Sequence, residues 1–179
     1  TAVDIETGLI VWQLPTQSSN IINETYSFKI SQLVSDGKSI FFSNNKNEFY
    51  SVDIKTGITN WINDISSNLT PIIIGNLLFT VSNDGYLHVI EKSNGNIIRI
   101  NNLYVNYKQK KRNKVKPIGF VIGNDKLFLT NTDGKMIIVD LNLGKVIGEE
   151  KVAGNFTSRP FIFNQSLFVI RNGSIIQYN

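Results

Sequence analysis

The 179-residue sequence predicts an all-β fold, a β-propeller of four-stranded antiparallel blades with about four blades in this chain. Three observations favour this fold. A motif built on an acid and a glycine occurs four times, its acids lie 49, 38 and 49 residues apart, and short apolar runs separated by Gly, Asn and Asp fill the intervals. Four-stranded units that repeat every ~40–50 residues are typical of propeller blades. No segment shows the sustained periodicity of an amphipathic helix.

The recurring motif predicts a tight turn between the third and fourth strands of each blade. "VDIETGLIVW" at residues 3–12 and "VDIKTGITNW" at residues 52–61 share an acid, a Thr-Gly pair and a Trp at the same spacing. The carboxylate can accept hydrogen bonds from backbone N–H groups of the turn, and the glycine can take its positive φ. The Trp, four residues later on the fourth strand, can lie across the corner of the neighbouring blade. These structural blade corners comprise Asp4, Gly8, Trp12, Asp53, Gly57, Trp61, Asp140 and Gly144.

Two copies depart from the motif at the position of the Trp. Arg99 follows the corner of Glu91 and Gly95, and Gly148 follows the corner of Asp140 and Gly144. We expect these two corners to lack the aromatic clamp and to be looser.

The elements follow one another as strand A, turn, strand B, hairpin, strand C, corner and strand D. We predict one domain over residues 1–179, with a strand D at 1–14, blades at 29–65, 69–105 and 116–150, and a partial blade at 157–179. The N-terminal strand could close a four-bladed ring within one chain. Alternatively, the chain is half of a seven- or eight-bladed ring, which a homodimer would complete if each copy lent its strand D to the other.

"AVDIETGLIVW" resembles the A-x-D-x-x-T-G-x-x-x-W docking motif of the PQQ-like (quinoprotein-type) β-propeller repeat family, and the repeat pattern covers nearly the whole chain. Within this family the pattern is most similar to the BamB group of the outer-membrane β-barrel assembly machinery. The resemblance implies a non-catalytic scaffold of the bacterial cell envelope, on the periplasmic side of the outer membrane. Its partners would be proteins of outer-membrane protein assembly.

The same resemblance leaves two alternatives, a fragment of a PQQ-dependent dehydrogenase and an extracellular sensor propeller domain. Quinoprotein dehydrogenases hold PQQ and Ca²⁺ with acidic and amide ligands, often beneath adjacent cysteines, and this chain has no Cys. Every corner acid has a structural explanation, and the single His88 is interpreted as a hydrogen-bonded packing residue in strand C. We therefore predict no enzyme activity, no catalytic residue, no cofactor and no metal site.

A lysine-rich loop suggests where a partner would bind. Six of the 18 Lys and Arg residues fall within positions 108–116, in the connection between two blades. Together with the other long connection at residues 15–28, this loop is predicted to lie on one face, where propellers carry binding sites. The loop could also attract an anionic membrane surface. No nucleic acid is expected, because aromatic stacking platforms are lacking. The candidate partner-binding residues are Tyr26, Phe28, Tyr104, Tyr107, Lys110, Lys111 and Arg112.

Overall fold

The computed structural model describes residues 1–16, 29–152, 154 and 158–178, which form antiparallel sheets and one short helix. Residues 2–12 form a two-stranded sheet of β1 (Ala2–Val3) and β2 (Ile10–Trp12). Blade I contains β3 (Val34–Ser35), β4 (Ser39–Ser43), β5 (Phe49–Asp53) and β6 (Thr59–Asn63). Blade II contains β7 (Ile72–Ile74), β8 (Leu77–Val81), β9 (Tyr86–Glu91) and β10 (Ile97–Asn102), and α1 (Gln109–Arg112) follows it.

Blade III contains β11 (Pro117–Gly123), β12 (Lys126–Asn131), β13 (Lys135–Asp140) and β14 (Lys145–Lys151). Blade IV contains β15 (Phe161–Phe163), β16 (Ser166–Arg171) and β17 (Ser174–Tyr178). Within every sheet the strands adjoin one another in chain order and run antiparallel. These all-β, blade-like sheets confirm the predicted fold class.

The third and fourth strands of each unit pair in one constant register. Trp61 lies opposite Ser51, two residues before the corner acid, and a register shift follows towards the corner. Trp12, Arg99 and Gly148 occupy the same place opposite Ala2, Val89 and Ile138. The residue four positions after each corner glycine therefore has the same register position in the sheet in each of these four units.

The core lies between neighbouring blades rather than inside any one of them. Phe41 and Phe49 of blade I pack with Leu78 and Ile90 of blade II in one buried cluster. A larger cluster joins the middle strands of blades II and III. A central strand must bury both of its faces in this arrangement, which explains why the middle strands are nearly continuous apolar runs.

Among the described residues, two of the sheets have fewer than four strands. Blade IV has three strands, and β17 pairs there with β16 alone. Sheet β1–β2 likewise has no further strand among the described residues.

Over the ranges given above, the structure contains no helix of the length and apolarity that crossing a membrane requires.

Candidate interaction surface

The first two corners are closed by the same set of local hydrogen bonds. Asp4 Oδ1 accepts hydrogen bonds from the backbone N–H of Thr7 at 2.7 Å and from its hydroxyl at 2.8 Å. Asp53 accepts the equivalent pair from Thr56 at 2.8 and 2.9 Å. These bonds hold the pKa of both carboxyls below the ordinary value, since they stabilise the ionised form. The two acids are thus engaged by their own turns.

Each Trp of the repeat joins its own unit to the next corner along the chain. Trp12 donates its indole N–H to the carbonyl of Ile54 at 3.0 Å, and its ring lies over Gly57. Gly57 has a φ of 73°, close to the 71° of Gly8, and a Cβ at Gly57 would lie 2.6 Å from the ring. We call this contact the first joint.

The second joint, between blades I and II, repeats this arrangement. Trp61 donates to the carbonyl of Lys92 at 3.0 Å and covers Gly95, while its ring stacks on Phe49 with centroids 5.8 Å apart. An ion pair between Lys92 and Asp36, 2.8 Å long, also crosses this joint. The hydrogen bond from Lys92, those from the backbone N–H groups of Ser39 and Lys38, and the charge of Lys92 together lower the pKa of Asp36 to about 2.

The third joint, between blades II and III, replaces the indole with a guanidinium. Arg99 donates to the carbonyls of Leu141 at 2.5 Å and Asn142 at 3.3 Å, and Asn101 lies against Gly144. The corner of blade III therefore lacks an aromatic clamp, as predicted, but it is held by hydrogen bonds. The prediction is wrong for the corner of Glu91 and Gly95, because Trp61 of the preceding blade covers it.

The residues around the third joint are apolar where those around the second are polar. Counted from the corner acid, Asp36, Ser39, Ser51 and Asn60 of blade I correspond to Ile74, Leu77, Val89 and Ile98 of blade II. In blade I the Asn60 amide donates to the hydroxyls of Ser39 and Ser51, both at 3.1 Å. In blade II the four aliphatic side chains instead line an open groove of about 610 Å³, with Arg99 at one wall and blade III opposite. We call this the third-joint groove.

Two of the predicted binding residues, Tyr104 and Tyr107, are buried, which corrects the expectation of exposed aromatic side chains on the loop face. They are 1% and 5% exposed, and their rings stack with centroids 5.3 Å apart. Tyr104 lies directly over Gly85 of the β8–β9 hairpin and donates to Asn131 Oδ1 at 2.7 Å. Burial raises the pKa of both phenols above the ordinary value. Their role is to pack the connection onto blades II and III.

Two of the predicted basic residues are also used within the chain. Lys111 pairs with Asp133 at 2.8 Å and lies 4.3 Å from the centroid of the Tyr107 ring. Arg112 donates to the carbonyls of Tyr107 at 2.8 Å and Val105 at 2.9 Å. Lys110 remains exposed on the same short helix. In the part of the chain that the structure describes, no ion pair involves the side chains of Lys108, Lys110, Lys114 and Lys116.

The remaining candidates, Tyr26 and Phe28, lie outside the described residues. Among the described residues, the predicted partner-binding residues therefore do not form one exposed cluster.

A regular signal in the sequence indicates that the connection after each strand D begins with a buried residue. Ile65, Leu103 and Val152 each stand 12 residues after a corner acid, and each is buried.

His88 lies on β9, the third strand of its blade, as predicted. Its hydrogen bonding differs from the prediction. Nδ1 is buried without a partner among the described residues, and burial lowers the pKa of the ring. The side chain lines a second cavity with Asp64 and Asp84 near the hairpins of blades I and II. No group of three or more His, Cys, Asp or Glu that could hold a metal ion occurs within the described residues.

Comparison with known proteins agrees with this repeat geometry. A family model described as outer membrane protein assembly factor BamB matches residues 1–101. A curated relative, outer membrane protein assembly factor BamB of Shewanella oneidensis, is 26% identical over 147 residues, which are 78% of this chain and 31% of the relative. The chain thus spans about a third of that protein's length.

Several solved structures share the fold at low sequence identity. BamB from Moraxella catarrhalis superposes with a TM-score of 0.66 at 14% identity, over 82% of this chain and 41% of that one. The computationally designed Ika4 protein matches with a TM-score of 0.65 at 11% identity, over 83% of this chain and 89% of Ika4. Sqt1 of Saccharomyces cerevisiae matches with a TM-score of 0.67 at 11% identity, over 85% of this chain and 45% of Sqt1.

The family model covers more than half of the chain, and its match includes the first two joints, where the Trp clamps lie. The chain therefore belongs to the BamB family of outer membrane protein assembly factors, whose PQQ-like repeats fold as propeller blades.

Proposed function

We propose that this chain is a non-catalytic scaffold that binds protein partners on the periplasmic side of the outer membrane during outer-membrane protein assembly. Membership of the BamB family carries this proposal. The geometry supports it, because the recurring acids and aromatic residues serve turns and joints, as at Asp53 and Trp61. A partner would therefore bind to other side chains, which lie on the surface.

The outer strands offer two kinds of partner contact. Aliphatic side chains on β2, β10 and β14 are exposed, among them Val11, Ile98, Ile100 and Ile147. A strand D also has a neighbour on only one side, as β10 has β9, so its outer edge can accept an extended polypeptide as an added strand. Such surfaces suit a protein that handles other polypeptides.

Cellular location and partner binding test this function together. With the BamB signal sequence of Shewanella oneidensis attached, the chain should fractionate with the outer membrane and co-purify with the purified assembly machinery of that bacterium. Absence of binding to the purified machinery would reject the proposal. Addition of PQQ with Ca²⁺ should leave the melting temperature unchanged, whereas an increase would favour the dehydrogenase alternative.

The basic loop is proposed as a membrane-facing element of this scaffold. Among the described residues, no ion pair with an acidic side chain is formed by Lys108, Lys110, Lys114 or Lys116. Their positive charges can therefore attract anionic lipid without competition from such a pair. Each such charge contributes at most about 1 kcal/mol near a membrane surface. Vesicles of phosphatidylglycerol should bind the chain more tightly than vesicles of phosphatidylcholine, and the quadruple Lys→Gln variant should remove the difference.

The open edges further suggest a homodimer that completes the ring. In such a dimer β17 would replace β1 beside β2 of the second copy, so that Trp12 would lie opposite Gln177 instead of Ala2, as Trp61 lies opposite Ser51. Light scattering of the purified chain should then give the mass of two copies. A monomer at all concentrations would reject this assembly and leave the scaffold function standing.

A further inference from the structure

We propose that the third-joint groove binds an aromatic side chain of a partner polypeptide, seated against blades II and III as Trp61 is seated between blades I and II. The inference rests on the proposed function, since it names the kind of partner segment that the scaffold takes. It concerns a surface distinct from the basic loop and from the edges of blade IV and of sheet β1–β2, and it includes the outer edge of β10.

The repeat itself indicates what this location accepts. At the first two joints the position four residues after the corner glycine holds an indole that covers the next corner. At the third joint the same register position holds Arg99, whose guanidinium reaches past the groove to the carbonyls of Leu141 and Asn142. At the third joint Arg99 bonds the carbonyl of Leu141 and Asn101 lies on Gly144, so a partner's ring would lie in the groove beside these contacts.

The walls of the groove are suited to an apolar ring. Ile74 and Ile98 are 45% and 59% exposed, although both are large aliphatic residues. Covering them removes apolar surface from water and favours binding. The volume of about 610 Å³ lies within the range of about 300–1,000 Å³ typical of ligand sites.

One polar feature favours a polypeptide over an isolated aromatic molecule. Next to Arg99, β10 is hydrogen-bonded on one side only, to β9, among the described residues, so its outer edge can pair with an extended segment. Alternate side chains of that segment would then point towards the groove.

A titration with short peptides tests the proposal on the intact chain. The probe is the capped, uncharged peptide acetyl-Ser-Thr-Trp-Thr-Ser-amide, and the matched control has Ala in place of Trp. With isotope-labelled Ile methyl groups, the indole should give nuclear Overhauser effects to Ile74 and Ile98. The Ala peptide should bind at least 10-fold more weakly. Equal affinities, or indole contacts confined to other sites, would overturn the proposal.

Two variants of the groove separate filling from unfolding. Arg99→Trp should occupy the groove with the chain's own ring and weaken peptide binding at least 10-fold, whereas Ile147→Trp, which adds a ring at an exposed position outside the groove, should not. The double variant Leu77→Ser with Ile98→Asn copies the polar residues of blade I and should also weaken binding. Undiminished binding by both groove variants, with the fold checked by circular dichroism, would refute the inference.

The outcome is separable from that of the proposed function. If the peptide fails to bind but the chain still co-purifies with the assembly machinery, the groove assignment is wrong and the scaffold role stands. If the peptide binds but the chain does not bind the assembly machinery, the groove remains assigned as a polypeptide site and the proposed role in the cell envelope is rejected.

Discussion

The second and third joints are built on the same backbone plan but are closed by different physical means. At the second joint, the indole of Trp61 packs against an aromatic ring, and the ion pair of Lys92 with Asp36 also joins the two blades. At the third, Arg99 donates to two carbonyls, and aliphatic residues remain exposed beside it. The difference teaches that the repeat requires a bridge from strand D to the next corner but does not require an aromatic one. Where the bridge is a guanidinium, apolar surface is left available to a partner.

Removing the two bridging side chains should give the largest contrast between the joints. Trp61→Ala should lower the free energy of unfolding by about 3 kcal/mol, because it removes a large apolar group from a packed site. Arg99→Ala should cost about 1 kcal/mol, because it removes two hydrogen bonds at a partly exposed site. Urea denaturation followed by fluorescence and circular dichroism would measure both. Equal losses would mean that the guanidinium clamps as strongly as the indole.

Alanine at two corner glycines should separate backbone strain from the docking of an indole. Gly8 and Gly57 have φ values of 71° and 73°, but only Gly57 lies under a ring. Gly8→Ala should cost about 1 kcal/mol from the positive φ alone. Gly57→Ala should cost at least about 2 kcal/mol, because Trp12 must also move. Urea denaturation measures both variants. Equal losses of unfolding free energy would show that the Trp12 ring can move away from the added methyl group at no energetic cost.

Arg99→Trp should convert the third joint towards the second. The added ring would cover exposed aliphatic side chains, so the free energy of unfolding should rise by about 1 kcal/mol. The measurement is the shift of the urea midpoint, with Ile147→Trp as the control for adding a ring at an exposed position. A loss of stability would show that the guanidinium contacts with blade III outweigh the apolar gain.

Acidification should give the smallest difference in stability between the second and third joints. The folded-state pKa of Asp36 is lowered to about 2, so its pair with Lys92 stabilises the fold above the unfolded pKa of about 3.9. That contribution is lost as the pH falls from about 4 through about 2. The pair lies at the surface and is partly exposed, so solvent screens it and the effect should stay below about 1 kcal/mol. Asp36→Asn should remove this share of the acid dependence, and Ile74→Asn, at the equivalent place in blade II, should leave it intact.

The parts of the fold that follow from the sequence are those encoded within a few neighbouring residues. The corner of Asp53 needs only the next four positions, since its hydrogen bonds run to Thr56 and its positive φ falls at Gly57. Short apolar runs with turn residues at fixed offsets then repeat this unit along the chain. Fold class and family could therefore be predicted, and both are confirmed.

The binding surface could not be predicted in the same way, and Tyr104 shows why. In the sequence it stands beside a lysine-rich loop and resembles an exposed aromatic contact. Its burial depends on Gly85, 19 residues earlier, and on Asn131, 27 residues later, which meet it only when two blades pack together. Lys111 is likewise engaged by Asp133 of the next blade.

The sequence by itself determined the repeat, the order of the strands and the position of each bridging residue, because strand pairing and turn chemistry act over short distances. Only the tertiary structure decided which loop residues are buried and where apolar surface stays open. The groove beside Arg99 arises from side chains on two different blades, and no local pattern encodes the space between them.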